Sequence, residues 1–456
     1  MSNVIKLQGF KFFRDQNNNV YIDCTDGRLR TYEAGSPDIE NLIELANRND
    51  RFIKIYSQKE LDEVIRHNVL YAKLNGKVRV VGKRYLRIKN EIIVNQVDRV
   101  LKINKDSICE VDLKRKKYRF VESTERLPLP KISKEATVED FLLLKKFLHL
   151  SDEDDWLIVV VLMVYLILGY SEFPILGIFG DAESGKTWIS SRLQKFLDPS
   201  TFGVVAQIND REHLASTIAS SYIVFTDNAD SLTRKMQDSL CMTSTGGTFT
   251  RTKKYKDKEV LALNLSAPIV MNGIVNPVTR DDLLSRMVLL KIQPLVKKRS
   301  RTGMAAKFDE NFVQMYSGFL RLVQESIIEL PNVKYTKSEY RMVDFCKVGI
   351  AVERVLGFEK RAFLKAYSRN QERGLYELLE ESEITSPLLQ LISGGDIEMT
   401  YGRLLKELDL DSIKSPKSLS QALSKLRKAF LNIHSIQIEE RGHTRSGNMV
   451  GIFRRR

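Results

Sequence analysis

The stretch FPILGIFGDAESGKTWISSRL, Phe173 to Leu193, decides how the whole chain is read. An apolar run is followed by a glycine-bounded loop and then by an amphipathic segment: strand, loop, helix. The loop GDAESGKT, Gly180 to Thr187, fits the pattern G-x-x-x-x-G-K-[ST]. Glycines at its two ends permit a backbone path whose N–H groups converge on phosphate oxygens. The helix starting at Lys186 adds the positive end of its dipole. Lys186 can then reach the β- and γ-phosphates, and the Thr187 hydroxyl can ligate Mg²⁺. Gly180, Asp181, Ala182, Glu183, Ser184, Gly185, Lys186, Thr187 and Trp188 are therefore the candidate nucleotide-binding residues, with ATP and Mg²⁺ as the expected cofactors. The bland alternative is a simple strand-to-helix turn.

A phosphate loop needs a metal-holding acid at the end of a second strand. SYIVFTDNAD, Ser221 to Asp230, supplies an apolar run ending in Asp227, which joins Thr187 as a candidate metal ligand. Any acid ending a buried strand would look alike, so its weight comes from following the loop by about forty residues. Asn228 stands next, where many such ATPases carry a glutamate that orients water. That leaves Asp230 and Glu183 as substitutes. A third strand, SAPIVMNGI, ends with Asn272, whose amide could touch the γ-phosphate or attacking water, or could simply serve the turn at Gly273. In TRDDLLSRMVLLKI, Arg280 and Arg286 flank a short helix. An arginine here, facing a neighbouring subunit, can stabilise charge on a transferred phosphoryl. The alternative is a pair of surface arginines bridged to Asp281 and Asp282.

In this order the pieces resemble the AAA+ ATPases, and most closely the phage and mobile-element replication helicases related to MCM helicases. Within that branch the chain is most similar to the replication initiator helicases of staphylococcal pathogenicity islands and chromosomal cassettes. The phrases FPILGIFGDAESGKT, FTDNADSLTRKMQDSLCMTSTGG, APIVMNGI and TRDDLLSRMVLL carry the likeness, which spans roughly 173–357. It implies that Lys186 and Thr187 fall on Walker A, Asp227 on Walker B, Asn272 on sensor 1 and Arg286 on the arginine finger. It also implies that Arg341, in SEYRMVDFCKVGIAVERVLG, is the sensor-2 arginine of a helical lid. With Asn228, these are the candidate catalytic residues: Lys186, Asp227, Asn228, Asn272, Arg286 and Arg341. The likeness further implies a ring, usually a hexamer, with ATP at each subunit junction.

Two further segments suit a nucleic-acid partner. GGTFTRTKKYKDKEVLALNL, Gly246 to Leu265, reads as a hairpin with Lys253, Lys254, Lys256 and Lys258 towards its tip. In the resembling helicases a hairpin here grips single-stranded DNA. Lysines neutralise phosphates without reading bases, and Tyr255 could stack on one. A solvated charged loop is the plain alternative. The last sixty residues look like a winged helix. Leu419, Ala422, Leu423, Leu426 and Phe430 make one apolar face at helical spacing, opposite Lys417, Gln421 and Lys425. A strand-turn-strand wing follows, with Arg441, His443 and Arg445 at its turn. Such units bind duplex DNA, here an origin, or dock proteins.

Composition agrees. The 456 residues carry 72 Lys and Arg against 58 Asp and Glu, a net charge of +14 that favours a polyanionic partner. The four cysteines form no C-x-x-C pair, as in a reducing cytoplasm. The longest apolar run, WLIVVVLMVYLIL from Trp156 to Leu168, is shorter than the roughly 20 residues of a membrane span and reads as a wholly buried helix. No membrane is expected.

The predicted fold class is α/β: a β-rich domain over 1–130, a linker and buried helix over 131–172, an AAA+ P-loop core over 173–295, a helical lid over 296–392, and a winged helix over 393–456. RLPLPKIS, Arg126 to Ser133, marks the linker by its prolines. The function expected is an ATP-dependent DNA helicase and replication initiator of a mobile element, acting on single-stranded and origin duplex DNA as a homo-oligomer. A primase or other replisome proteins would be further partners. A helicase loader, an ATP-switched DNA-binding regulator and a small-molecule P-loop kinase are the rival readings.

Overall fold

The computed structural model describes residues 10–26, 28–34, 58–150, 152–252, 260–294, 300–336, 340–444 and 447–455. The N-terminal strands β1 (Phe10–Arg14), β2 (Val20–Asp26) and β3 (Arg28–Glu33) form an antiparallel sheet against helix α1 (Gln58–Asn75). The helix runs on through VLYAKLN to Asn75, a stretch that holds only one β-branched residue and no breaker. Strands β4 (Val80–Gly82), β5 (Tyr85–Ile88), β6 (Glu91–Asn95), β7 (Val100–Ile103), β8 (Ile108–Glu110) and β9 (Tyr118–Phe120) follow. β5 to β8 make a four-stranded meander, and β4 pairs with β9 in parallel.

Short helices α2 (Val138–Leu142) and α3 (Leu144–Leu148) lead into α4 (Glu153–Ile167). Asp152 caps α4 by accepting from Asp154 N at 2.7 Å and Asp155 N at 3.2 Å, and residues 155–167 are all buried. The apolar run is thus a core helix. No helix among the described residues is long and apolar enough to cross a membrane.

The central sheet is parallel, in the order β11 (Val224–Thr226), β14 (Ile269–Gly273), β10 (Ile175–Phe179), β15 (Met287–Lys291). Its strands ILGIF, IVMNG and MVLL are buried almost throughout, as expected where both faces are covered. Helices α5 (Lys186–Leu197), α6 (Arg211–Ser220), α7 (Arg234–Thr245) and α8 (Asp281–Leu284) connect them, and β12 (Thr248–Thr252) and β13 (Val260–Asn264) form a separate hairpin.

Next come α9 (Arg301–Glu329), α10 (Val343–Val355), α11 (Ala362–Glu380) and α12 (Thr385–Ile392). α10 and α11 pack on α4, and α11 also seals the edge of the sheet. There the Asn370 side chain accepts from Leu289 N at 2.9 Å and donates to Leu289 O at 2.6 Å, replacing the partner that an edge strand lacks. Finally β16 (Ile397–Thr400), α13 (Tyr401–Leu408), α14 (Pro416–His434), β17 (Ile436–Thr444) and β18 (Gly447–Arg454) make a small unit with strand order β16-β18-β17. Leu419, Leu423, Leu426, Ala429 and Phe430 are the buried face of α14, which packs on α11.

Residues 126–133 are not a free tether. Leu129 is buried, Leu127 N donates to Pro199 O at 2.9 Å, and Gln96 Nε2 donates to Pro130 O at 2.9 Å. The prolines mark an extended chain that is nonetheless packed. Beside it lies an ion pair of Arg84 with Asp198 at 2.9 Å, the two side chains 0% and 4% exposed. Arg84 also donates to Leu127 O and Pro199 O, while Asp198 accepts from Tyr222 N and Ile223 N. Asp198→Ala strands a buried cation and two amides at once. It is expected to cost about 3–5 kcal/mol, read from urea unfolding. Asp309→Ala, which breaks only the solvated pair with Lys195, should cost about 1 kcal/mol or less.

Candidate functional site

β10 runs through the interior of the sheet and ends at Phe179, so the loop from Gly180 opens at the carboxyl edge, where parallel sheets take ligands. Gly180 has φ +152°, and a Cβ there would meet Ile292 O at 2.2 Å. Gly185, at φ +95°, turns the chain into α5. Only glycine meets both demands without strain. The Lys186 ammonium folds back over the loop, 2.7 Å from Gly180 O, 2.6 Å from Asp181 O and 3.4 Å from Ser184 Oγ. Burial pulls its pKa below the ordinary value, against Asp181, Asp227 and Asp230, which push it up. The two carbonyls and the Ser184 hydroxyl hold the ammonium over the loop, and the three carboxylates favour its charge.

Asp227, just past β11, faces the Thr187 hydroxyl at 3.3 and 3.4 Å. A hydroxyl and a carboxylate at this spacing suit a hard divalent cation shared with phosphate oxygens and water. Asn228 follows in the left-handed region at φ 55°, its N donating to Asp227 Oδ1 at 3.0 Å. An amide cannot serve as a general base. Asp230 accepts from Ile274 N at 3.0 Å, tying this turn to the chain leaving β14.

Asn272 is 1% exposed and does not serve the turn at Gly273 with its side chain. Its Nδ2 donates to Ser190 Oγ on α5 at 2.9 Å, and its Oδ1 is buried without a hydrogen-bond partner. It therefore links β14 to the helix that carries Lys186. Nothing in the local sequence flagged Ser190. Trp188 donates its indole N–H to Phe147 O at 2.7 Å, under the Arg192 guanidinium at 4.4 Å. That side chain ties α5 to α3, so only the Trp188 backbone remains a candidate for the nucleotide.

Arg286 lies at the opposite edge of the sheet. It immediately precedes β15, and its carbonyl accepts from Ile175 N at 2.9 Å, at the start of β10. A strand of this length separates it from Gly180 by about 20 Å, too far for a side chain to reach its own loop. Arg286 is buried, with Nε and one terminal nitrogen lacking any hydrogen-bond partner. Burial first, and the Arg341 cation second, pull its pKa below the ordinary value. Arg341 is exposed and thus shares that edge with Arg286. Arg280 instead pairs with Asp282 at 2.6 Å and with Asp238, the surface-bridge alternative.

The hairpin β12–β13 is in register from Thr248↔Asn264 to Thr252↔Val260. Its root is fastened by Leu265 N to Gly247 O at 2.9 Å, directly after the C-cap of α7 at Gly246. Lys253, Lys254, Lys256 and Lys258 lie outside the described residues, as does Arg445. On α14, Lys417, Gln421 and Lys425 are exposed. Arg441 is engaged by Glu439 at 2.9 Å and by the Phe453 ring at 4.7 Å, so it is less available than its position suggested.

The profile of a family described as actinomycete integrative conjugative element replication protein matches residues 143–371. No curated protein matches the chain. Among solved structures, "SCCmec type IV Cch - active helicase" aligns at 11% identity and TM-score 0.47, covering 97% of this chain and 92% of that one. "The A form apo structure of NrS-1 C terminal region-CTR" aligns at 11% identity and TM-score 0.39, covering 98% and 97%.

Proposed function

The chain belongs to the actinomycete integrative conjugative element replication proteins, and from that premise we propose that it is an ATP-dependent DNA helicase that initiates replication of its element. Gly180 to Thr187 bind the triphosphate, and Thr187 and Asp227 would hold the Mg²⁺ that ATP brings, which would supply positive charge against the phosphates. Lys186 leaves its carbonyl partners for the phosphates. Arg286 of one protomer completes the site of the next, and Arg341 acts from the same edge. Asn272 reports the state of α5 along β14. The C-terminal unit presents Lys417, Gln421 and Lys425 to origin duplex.

The observation that supports this reading is the hairpin rooted between the Asp227 strand, which meets the loop at Thr187, and the Asn272 strand, which meets the following helix α5 at Ser190. Its root must follow any change at either strand. Replacing Lys253, Lys254, Lys256 and Lys258 together by Ala is expected to leave hydrolysis without DNA within about threefold. Strand displacement on a forked substrate and stimulation by single strands should fall by about tenfold or more. Unimpaired displacement would remove the hairpin from the mechanism. The exposed basic face of α14 favours a second reading, an ATP-switched duplex-binding regulator or loader, which binds duplex tightly and displaces no strand.

A further inference from the structure

The N-terminal unit carries a surface that the ATPase reading leaves unused. The carboxyl end of α1 exposes Leu70, Tyr71 and Leu74, and Val78 follows; Leu74 is 78% and Tyr71 50% exposed. Lys73 and Lys77 on the same stretch are exposed, as are Lys114, Lys116 and Lys117 on the run that pairs with its continuation. Strand pairing, not sequence, brings the two runs together. Val80 N donates to Lys117 O at 3.1 Å, Arg79 donates from its guanidinium to Lys116 O at 2.7 Å, and Arg14 N donates to Lys77 O at 3.1 Å.

No aspartate or glutamate occurs between 64 and 90, nor between 113 and 121. Among the described residues, none of the five ammonium groups has a carboxylate partner. Uncompensated lysines around an exposed tyrosine and aliphatic side chains match a flexible polyanion that also offers flat rings. Phosphates take the ammonium groups, and a base can lie on the Tyr71 ring. A duplex hides its base faces, so the exposed aromatic favours a single strand. Resting on the reading of the chain as a DNA-translocating enzyme, we propose that the end of α1 and the Lys114–Lys117 turn form a separate binding site for single-stranded DNA.

The test is fluorescence anisotropy of a labelled oligothymidine with the full chain, titrated at several salt concentrations. Neutralising Lys73, Lys77, Lys114 and Lys117 as glutamines should flatten the slope of log affinity against log salt by about 2–3, since each phosphate contact contributes about 0.7. Tyr71→Ala should weaken binding about tenfold with little change in slope, and Tyr71→Phe should restore it. The same four lysines changed to arginine should keep the wild-type slope. Hydrolysis without DNA should be unaffected, because no residue of the set touches the phosphate loop. An unchanged slope in the glutamine variant overturns the site. So does loss of binding to phosphatidylserine vesicles with oligonucleotide binding intact, which would make the surface a membrane contact. If the wild-type chain binds no oligothymidine at all, the helicase reading falls instead.

Discussion

Lys186→Ala is expected to lower ATP turnover by about 10²- to 10³-fold, and strand displacement with it. The ammonium is the one cation held within the loop, and its partners are the carbonyls of Gly180 and Asp181 and the Ser184 hydroxyl. These are neutral partners, which charged phosphate oxygens outcompete. On the proposed function, the transferred charge would sit where negative charge grows on the γ-phosphoryl, and alanine would remove it. The fold should survive, because the side chain belongs to no apolar core. Steady-state hydrolysis beside a thermal melt checks this: lost turnover with an unchanged melt is the expected pair. Full turnover in the variant would take the phosphate loop out of the chemistry.

Arg286→Ala should produce a still larger loss, about 10³- to 10⁵-fold in turnover, with nucleotide binding by a single protomer nearly untouched. The reason is geometric. Arg286 enters β15 at the edge of the sheet where the strands begin, and the loop leaves β10 where they end. Its partly unsatisfied guanidinium is costly to keep buried beside the Arg341 cation. A neighbour's triphosphate would supply the missing acceptors. Nucleotide affinity measured below the assembly concentration separates this role from one in the protomer's own site.

What the sequence disclosed follows from how local each requirement is. Gly180 and Gly185 were legible because their backbone angles exclude other residues, and Asp227 because it ends an apolar run. The buried helix at Trp156 was legible from unbroken hydropathy. The prolines of Arg126 to Ser133 report backbone shape and are silent on packing, which Leu129 and Gln96 settle at long range. Asn370 sealing the sheet edge at Leu289 is a contact across 81 positions with no local signature. Ser190 likewise looked like any helix hydroxyl until Asn272 reached it. Trp188 was drawn into the nucleotide set by adjacency alone, and its indole turned out to serve helix packing. Arg79 and Val80 meet Lys116 and Lys117 only because β4 and β9 pair in parallel.

The most direct measurement mixes the two inactive proteins. Lys186→Ala and Arg286→Ala chains combined in equal amounts create junctions in which an intact phosphate loop from one protomer meets an intact arginine from the other. Hydrolysis is expected to rise well above that of either variant alone, towards about a quarter of the wild-type rate if subunits mix at random and junctions act independently. A mixture no more active than its components, under conditions where subunit exchange is demonstrated, would contradict the shared site.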